Sequence, residues 1–570
     1  MRRSWDRAQG DDTPREPLPS VEEQGQGKLV APPASAVLDS AHLGNIEGAF
    51  GRINLDDDGD RSRWKRRLLT LAAIVGPGLI VMVGDNDAGG VSTYAQAGQN
   101  LHTSLLWTLL LLIPVLVVNQ EMVVRLGAVT GVGHARLINE RFGRAWGWFS
   151  VGDLFLLNFL TIVTEFIGIS LAASYFGLSR YIVVPTAAVA LVVIMASGSF
   201  RRWERAMFVF IGISLLQIPM FVLSHPHFPT IFKNFVVPAI FGGANSSSVL
   251  LIIAIVGTTV APWQLFFQQS NIVDKRITPR FISYERVDTV LGSIVVVIGA
   301  AAIMITANYA ASGTKFFGKF TNAGDVAHLL AHHSALLGDI FAVVLFDASI
   351  IGAAAVTLAT SYAFGDVFGL RHSLHRGWRE AKPFYVSYTI MVALAGGIVL
   401  IPHAPLGLIT TAVQALAGIL LPSASVFLLL LCNDPEVLGP WVNARWLNAL
   451  ATLIIGVLLD LSGTLMTSTL FPNINVISIA EDLGVGLVVA GGIVYGVVLL
   501  VSRRRHASDQ PVQQRVLSRS EKMTWRMPPL NLLRPVRWSP GLRIGMLSLR
   551  AYLVLSVILL IVKAVQLSSG

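Results

Sequence analysis

The chain has 570 residues, of which 53% are hydrophobic and 14% are charged, and its mean hydropathy is +0.62. These values, with long apolar runs from residue 68 onward, exclude a soluble globular protein and indicate one polytopic membrane domain. The single cysteine, Cys432, excludes an internal disulfide and a metal site built from several thiolates. Because basic loops that orient a membrane protein explain the net charge of +9, we predict no nucleic-acid partner.

The chain divides into three regions by composition. Residues 1–64 are polar and rich in Pro, Gly, Asp and Glu, which predicts a disordered cytoplasmic tail ending in a basic patch. Residues 65–463 are expected to form the main membrane core. Residues 464–570 are expected to form a C-terminal region with a basic linker and one or two extra membrane helices.

Thirteen apolar segments are long enough to be membrane helices, which predicts an all-α polytopic membrane protein. The total stays open between twelve and thirteen, because the last two segments are the hardest to delimit. The predicted segments are 68–98, 103–126, 147–176, 180–198, 206–224, 248–269, 287–310, 337–366, 384–402, 406–432, 443–463, 483–502 and 546–567.

The charges of the predicted loops alternate along the chain. Each loop that follows segment two, four, six or eight carries three or four Lys or Arg residues, whereas the loops between them carry few. Surplus positive charge marks the cytoplasmic side of a membrane protein. The N-terminus is therefore predicted to be cytoplasmic, in what we expect is a bacterial plasma membrane.

The first membrane segment is interrupted by polar residues. After the apolar run 68–83 the chain reads Gly-Asp-Asn-Asp-Ala-Gly-Gly over residues 84–90. Carboxylates and unwound backbone at membrane depth are costly unless they line a cavity, and such breaks form the cation sites of many secondary transporters. Asp87 is the predicted cation ligand, and Asp85 and Asn86 are expected to line its vestibule.

The sixth segment is interrupted as well. Gly257, Thr258 and Thr259 precede Pro262 near the middle of the apolar run, and proline removes a backbone donor. Segments one and six are thus both broken, five segments apart. This spacing predicts two inverted five-helix repeats with the substrate site between them.

Several motifs together resemble the Nramp family of divalent-metal transporters over residues 68–463. Gly76-Pro77-Gly78 precedes Asp87-Ala88-Gly89-Gly90, where the family typically has Asp-Pro-Gly-Asn. The other matching positions are Thr93, Ala97-Gly98, Arg125-Leu126-Gly127, Thr130-Gly131, Glu165, Gly168, residues 257–263, Gln414 and Pro422. The resemblance implies a LeuT-like fold for the transport core and the import of manganese or ferrous iron with protons.

The chain departs from the family pattern at four positions. Ala261 replaces a thioether ligand, Gly90 an amide ligand, and Trp263 a histidine linked to proton movement. Gly133 stands where the family tends to carry an acid on its proton path. This combination resembles the Nramp-related magnesium transporters, a branch with the same fold.

The chemistry of these replacements also favours magnesium. Thioethers select softer metals, whereas carboxylate, carbonyl and water oxygens suit Mg²⁺, which sheds its water reluctantly. Gly90 and Ala261 would line an enlarged, oxygen-only cavity beside Asp87. Its expected partners, directly or through water, are Thr258, Gln264 and Gln414. The cation is the transported substrate, and no resident cofactor is expected.

Other charged residues have less specific predictions. Glu165 is expected to be a relay or pathway residue, and Asp347 to have a structural role. Glu121 and Arg125, four residues apart, are expected to form an intrahelical pair. His328, His332 and His333 are expected in a solvated outer loop, with metal capture as the alternative.

The preferred function is uncoupled import of divalent cations, chiefly Mg²⁺ with Mn²⁺ also accepted. One alternative is a proton-coupled Mn²⁺ or Fe²⁺ importer of the ordinary Nramp type. A second is a Na⁺-coupled symporter of an organic solute with the same fold. A membrane enzyme is not supported, because no HExxH, GxSxG or phosphate-binding loop is present. The oligomeric state stays open.

Overall fold

The computed structural model describes residues 36–37, 39–54, 57, 63–402, 404, 406–471, 474–505, 518–534, 536, 545–552, 554–555 and 558. Its α-helices in chain order are α1 Trp64–Ile74, α2 Pro77–Val83, α3 Ala88–Leu101, α4 Leu106–Thr130, α5 His134–Phe142, α6 Arg144–Tyr175, α7 Arg180–Met195, α8 Phe200–Ser214, α9 Gln217–Leu223, α10 Phe228–Val236, α11 Ser246–Thr259, α12 Pro262–Asp274, α13 Ile282–Ala311, α14 Ala323–His333, α15 Ala335–Phe368, α16 Lys382–Val399, α17 Leu406–Cys432, α18 Pro435–Leu438, α19 Arg445–Leu470, α20 Val476–Arg505 and α21 Arg519–Thr524. Short 3-10 helices cover Ser40–His42, Pro279–Phe281, Gly439–Trp441 and Leu530–Leu532.

Among the described residues, ten helices are long and apolar enough to cross a membrane, and the bent pair α1 and α2 makes an eleventh. The shorter apolar helix α7 lies at the predicted fourth segment. Helices therefore occupy the first twelve predicted segments, and the chain is an integral membrane protein. Most of the thirteenth segment lies outside the described residues, as do residues 506–517, 535 and 537–544 of the basic linker.

The first segment bends at Gly76, before its polar break. Helices α1 and α2 meet at 53°, and Gly76 has a φ of 153°, which favours glycine. Lys275 Nζ donates to the carbonyl oxygens of Ile74 at 2.6 Å and Val75 at 2.9 Å, at the C-terminus of α1. Asp288 accepts hydrogen bonds from the N–H groups at the start of α2, including that of Gly78 at 2.8 Å. Charged side chains from other segments thus satisfy both helix ends.

Each of the two predicted breaks separates a pair of half-helices. Residues 84–87 separate α2 from α3, and Val260 and Ala261 separate α11 from α12. Pro262 occupies the first turn of α12, where its missing N–H costs nothing. The predicted interruption of segments one and six is confirmed.

The predicted disordered tail is wrong for residues 39–53. These residues, which we call the N-terminal strap, form a 3-10 turn and an antiparallel hairpin of β1 Ile46–Gly48 and β2 Gly51–Ile53. The buried side chains of Ile46 and Ile53 join the main core, which compensates for the polar composition around them. Residues 1–35 of the predicted tail lie outside the described residues.

Residues 323–333 form helix α14 and not the predicted loop, whereas His328, His332 and His333 are exposed as predicted. Asn322 caps its N-terminus by accepting from the Asp325 N–H at 3.0 Å. His328 packs against the Tyr175 ring, and His333 Nε2 lies 3.3 Å from the Ala310 carbonyl oxygen. No metal-binding cluster of three or more His, Cys, Asp and Glu side chains occurs here or elsewhere in the described ranges.

The segment 518–534 docks on the end of α4. Arg526 Nη1 donates to the Ala128 carbonyl oxygen at 2.6 Å, and the Met527 N–H donates to that of Val129 at 3.3 Å. Burial lowers the pKa of Arg526 to about 10, so the guanidinium still carries its charge near neutral pH. This part of the C-terminal region is therefore anchored to the membrane core.

Candidate cation site

The two helix breaks meet through a direct side-chain contact. Gln264, in the first turn of α12, donates through Nε2 to Asp85 Oδ1 and, at 3.2 Å, to the Thr259 carbonyl oxygen. Gln120 of α4 donates to Gln264 Oε1 at 3.3 Å. Asp85 and Gln264, predicted as a vestibule residue and a ligand, therefore form one hydrogen-bonded unit across the breaks.

Asp87 lies at the N-terminus of α3. Its Oδ1 accepts the Gly90 N–H at 2.8 Å, and the neighbouring Ala88 N–H donates to Glu165 Oε2 at 3.0 Å. A side chain at Gly352 would meet both Glu165 and Asp87, so the two carboxyl groups are neighbours. The structure brings Glu165 of α6 to the edge of the predicted site, where it also helps to cap α3.

Buried oxygen atoms without a hydrogen-bond partner surround the breaks. Within the part of the chain that the structure describes they include Asp85 Oδ2, Asn86 Oδ1, Glu165 Oε1 and Thr258 Oγ1. Thr258 thus does not bond back to a helix carbonyl, as threonines in helices often do. Buried polar atoms are normally satisfied, so unpartnered oxygens from both breaks point to a ligand.

Gln414 of α17 also belongs to this region. Its side-chain amide fills the space beside Gly89, so that residue 89 has no room for a Cβ. Asn86 is held from α13, because its Nδ2 donates to the Val296 carbonyl oxygen at 3.1 Å. Only its Oδ1 is left to face a ligand.

The two substituted positions of segment six have different surroundings. Ala261 is 6% exposed at the start of α12, and it brings no thioether to the break. Trp263 is buried, and its ring packs against Phe267 with centroids 5.9 Å apart. The Trp263 ring also borders Gly84, where an added Cβ would lie 3.5 Å away. Trp263 therefore serves as packing beside the first break.

A carboxylate occupies the space beside Gly133. A Cβ at Gly133 would overlap the carboxyl group of Asp366, which comes from the end of α15. Asp366 Oδ1 lies 3.0 Å from His372 Nε2. The sequence prediction missed Asp366, because it lies at the very end of an apolar segment and nothing in the sequence pairs it with Gly133.

The neighbouring His134 begins α5. Its Nδ1 lies 2.8 Å from Gln269 Oε1, and Gln269 Nε2 donates to the Val132 carbonyl oxygen at 2.7 Å. This arrangement makes Nδ1 the donor of a neutral imidazole. Burial lowers the pKa of His134 to about 4, so the ring is uncharged near neutral pH.

Other predictions for charged residues have clear outcomes. Arg125 Nη2 lies 3.0 Å from Glu121 Oε2, which confirms the intrahelical pair. Ser214 Oγ donates to Asp347 Oδ2 at 2.6 Å, which is compatible with the predicted structural role, and Asp347 Oδ1 is buried without a hydrogen-bond partner. The prediction missed Gln120, although the polar run 119–121 in an apolar segment is a signal that could have revealed it.

The family model described as "Natural resistance-associated macrophage protein-like" matches residues 78–468. Relatives include the divalent metal cation transporter MntH of Lacticaseibacillus casei, 26% identical over 71% of this chain and 91% of its own length. Another is the divalent metal cation transporter MntH 1 of Pseudomonas aeruginosa, 29% identical over 70% of this chain and 92% of its own length.

A solved structure has the same fold. The manganese transporter of Eremococcus coleocola aligns with a TM-score of 0.59 and 21% identity, covering 78% of this chain and 97% of that one. The family match covers more than half of the chain, from Gly78 in α2 to Ser468 in α19. The chain belongs to the Nramp family and has its LeuT-like transporter fold, with helices one and six broken.

Proposed function

We propose that this protein imports divalent cations through the site at the two breaks, preferring Mg²⁺ and also accepting Mn²⁺. The names of its relatives support a divalent metal as the substrate. The observation that carries the preference is the set of unpartnered oxygens around Asp85, Asn86 and Thr258, beside an Ala261 that supplies no sulfur. Oxygen ligands with room for retained water suit Mg²⁺ better than softer metals.

Within this proposal Asp87 is the principal ligand, and the short side chain of Ala261 leaves space for a hydrated ion. The predicted contribution of Gly90 to that space is wrong, because the Asp85 carbonyl oxygen and the Tyr94 ring crowd its Cα. Thr258, Gln264 and Gln414 contribute oxygens directly or through water. Transport is uncoupled, because the inside-negative membrane potential supplies about 2.3 kcal/mol per charge per 100 mV. A divalent cation gains about twice that on entry, which is sufficient drive without a second ion.

The test is cation uptake into liposomes that contain the purified protein, with the internal pH recorded. The parent protein is expected to take up Mg²⁺ and Mn²⁺ without acidification, and Asp87→Ala to take up neither. Full Mg²⁺ uptake by Asp87→Ala would contradict the proposed site.

A second variant tests the selectivity argument. Ala261→Met is expected to shift preference toward Mn²⁺ and Cd²⁺, because it returns a thioether to the break. Gly90 is left unchanged in this variant, although the family typically has Asn there. A Cβ at Gly90 would lie 2.9 Å from the Asp85 carbonyl oxygen, so Gly90→Asn would also disturb the backbone of the first break. Unchanged selectivity in Ala261→Met would contradict the ligand argument.

Two observations favour proton-coupled Mn²⁺ or Fe²⁺ import as the second candidate. Asp366 supplies a carboxylate in the space beside Gly133, and Glu165 lies next to Asp87. Both are carboxyl groups that can carry a proton. Internal acidification that accompanies Mn²⁺ entry and disappears in Asp366→Asn would establish this candidate instead.

A further inference from the structure

Two adjoining cavities lie between the transport core and the C-terminal segment 518–534. Their volumes are about 340 and 490 Å³, and they share Arg286 of α13, Trp441 before α19 and Lys522 of α21. We call them together the basic cavity. Because α21 lies beyond the residues that match the family model, the cavity combines a family surface with an added one.

The basic cavity carries a surplus of positive charge. Among the described residues its lining has five cationic side chains and one carboxylate, Glu121; the cationic residues are Arg125, Arg280, Arg286, Arg519 and Lys522. That carboxylate is shared, because Arg125 Nη2 lies 3.0 Å from Oε2 and Arg286 Nε donates to Oε1 at 3.1 Å. Glu121 therefore leaves the charges of Arg519 and Lys522 uncompensated within the lining.

Trp441 fixes the position of Lys522. The Lys522 ammonium lies 4.6 Å from the centroid of the Trp441 ring, and Trp441 Nε1 donates to the Lys522 carbonyl oxygen at 2.9 Å. A cation held over an aromatic face keeps its charge available on its other side. These two contacts therefore hold Lys522 in a defined position in the lining of the basic cavity.

Apolar, outward-facing surfaces lead into the basic cavity. On α13 the exposed residues directly after Arg286 recur at helical spacing: Val287, Val290, Leu291, Ile294, Val295 and Ile298. On α19 the cavity residue Trp446 is 67% exposed, and Leu453 and Val457 follow it outward. Such stripes face the acyl chains of a bilayer, and tryptophan favours the headgroup level. The basic cavity therefore lies where the apolar surface ends.

We propose that the basic cavity binds one anionic phospholipid from the leaflet on the side of the basic loops. Its phosphate lies among Arg286, Arg519 and Lys522, and its acyl chains lie along α13 and the side of Val117 and Trp446. Charge complementarity and the adjoining apolar stripes select a lipid over a soluble anion. The bound lipid joins segment 518–534 to α13.

The test measures lipid binding to the full-length protein in dodecyl maltoside by native mass spectrometry and by thermal unfolding. Phosphatidylglycerol is expected to remain bound and to raise the unfolding midpoint, whereas phosphatidylcholine and inorganic phosphate do neither. Each cationic side chain contributes about fivefold to the affinity for an anionic lipid, so Arg286→Gln with Lys522→Gln should weaken binding about 25-fold.

Arg379→Gln is the matched control, because it removes one exposed arginine on the same side, outside the basic cavity. It should bind phosphatidylglycerol as the parent protein does. Equal binding of phosphatidylcholine would overturn the role of charge, and equal stabilisation by inorganic phosphate would overturn the lipid. The comparison of lipids on the parent protein decides both points even if the double variant does not fold.

Discussion

At the scale of single residues, the two aspartates of the first break have different surroundings. Asp87 accepts an N–H at the start of α3 and lies beside Glu165, whereas Asp85 reaches Gln264 across the two breaks. The sequence predicted that both lie near the site, because carboxylates at a membrane break have few other uses. It did not predict which partner each one contacts, since that depends on side-chain directions from distant segments.

We predict that Asp85→Asn weakens cation binding and leaves the fold intact. The asparagine keeps an oxygen that accepts from Gln264 but loses the charge that attracts a divalent ion. The apparent KM for Mg²⁺ uptake into liposomes should rise about tenfold, as a loss of roughly 1.4 kcal/mol gives. Asp347→Asn is the control, because that buried carboxylate bonds to Ser214 and not to the breaks. An unchanged KM in Asp85→Asn would remove this aspartate from the site.

His134 should make the stability of the protein depend on pH. Burial lowers the pKa of His134 from 6.5 to about 4, so its contribution is complete above pH 6.5 and is lost as the pH falls toward 4. The loss amounts to about 3 kcal/mol. Unfolding midpoints in detergent should fall over this range for the parent protein and for the exposed control His227→Gln. They should fall less for His134→Gln, and an identical pH profile would contradict the buried neutral imidazole.

At the scale of helices and their ends, the bend at Gly76 is held by groups from other segments. The Lys275 ammonium caps α1 and also contacts Glu204 Oε1 of α8 at 2.6 Å, with both side chains fully buried. Glu204 in turn accepts from the Ala49 N–H of the N-terminal strap. The sequence predicted the break but not this bend, because the glycine pattern shows where a helix stops and not what holds its ends.

We predict that Lys275→Met destabilises the protein strongly. The change leaves the Glu204 carboxylate buried without its counter-charge, and such losses cost about 3–5 kcal/mol. The thermal unfolding midpoint in detergent should fall accordingly. The double variant Lys275→Met with Glu204→Gln should recover much of the loss, because both charges are then gone. A double variant no more stable than the single one would mean that the lysine acts only as a helix cap.

At the scale of the whole molecule, the N-terminal strap connects parts that are far apart in sequence. Asp39 accepts from Arg376 Nε at 2.9 Å, in the loop after α15, and Arg276 Nε donates to the Ala41 carbonyl oxygen at 2.8 Å, after α12. Burial alone would raise the pKa of Asp39, but the Arg376 guanidinium lowers it to about 2, so the pair stays charged near neutral pH. The strap therefore ties the broken segment six to the loop between α15 and α16.

We predict that Asp39→Ala releases the strap from Arg376. Trypsin cleavage after Arg52 in the native protein should become on the order of tenfold faster, because local opening precedes proteolysis. The charge exchange Asp39→Arg with Arg376→Asp should restore part of the protection. Equal cleavage rates of parent and variant would show that the hairpin itself, and not the ion pair, holds the strap in place.

The segmentation, the two breaks and the family could all be predicted from the sequence, since apolar runs and local motifs encode them directly. The N-terminal strap could not be predicted from the sequence, because its composition is mostly polar and only a few apolar side chains pack it against the core. The sequence also did not predict the contacts between distant segments. No residue near Asp85 in the sequence indicates Gln264 as its partner, and none near Gly133 indicates Asp366. Long-range geometry decides these contacts after the helices have packed.

The carboxyl group beside Gly133 makes two distant positions interdependent. A residue larger than glycine at 133 would have to displace Asp366, so an acid can occupy this volume from one helix or the other but not from both. An alignment of the family would show no acid at position 133, although the carboxyl group of Asp366 occupies the same volume. The exchange Gly133→Asp with Asp366→Gly would keep a carboxyl group in this volume and supply it from the start of α5.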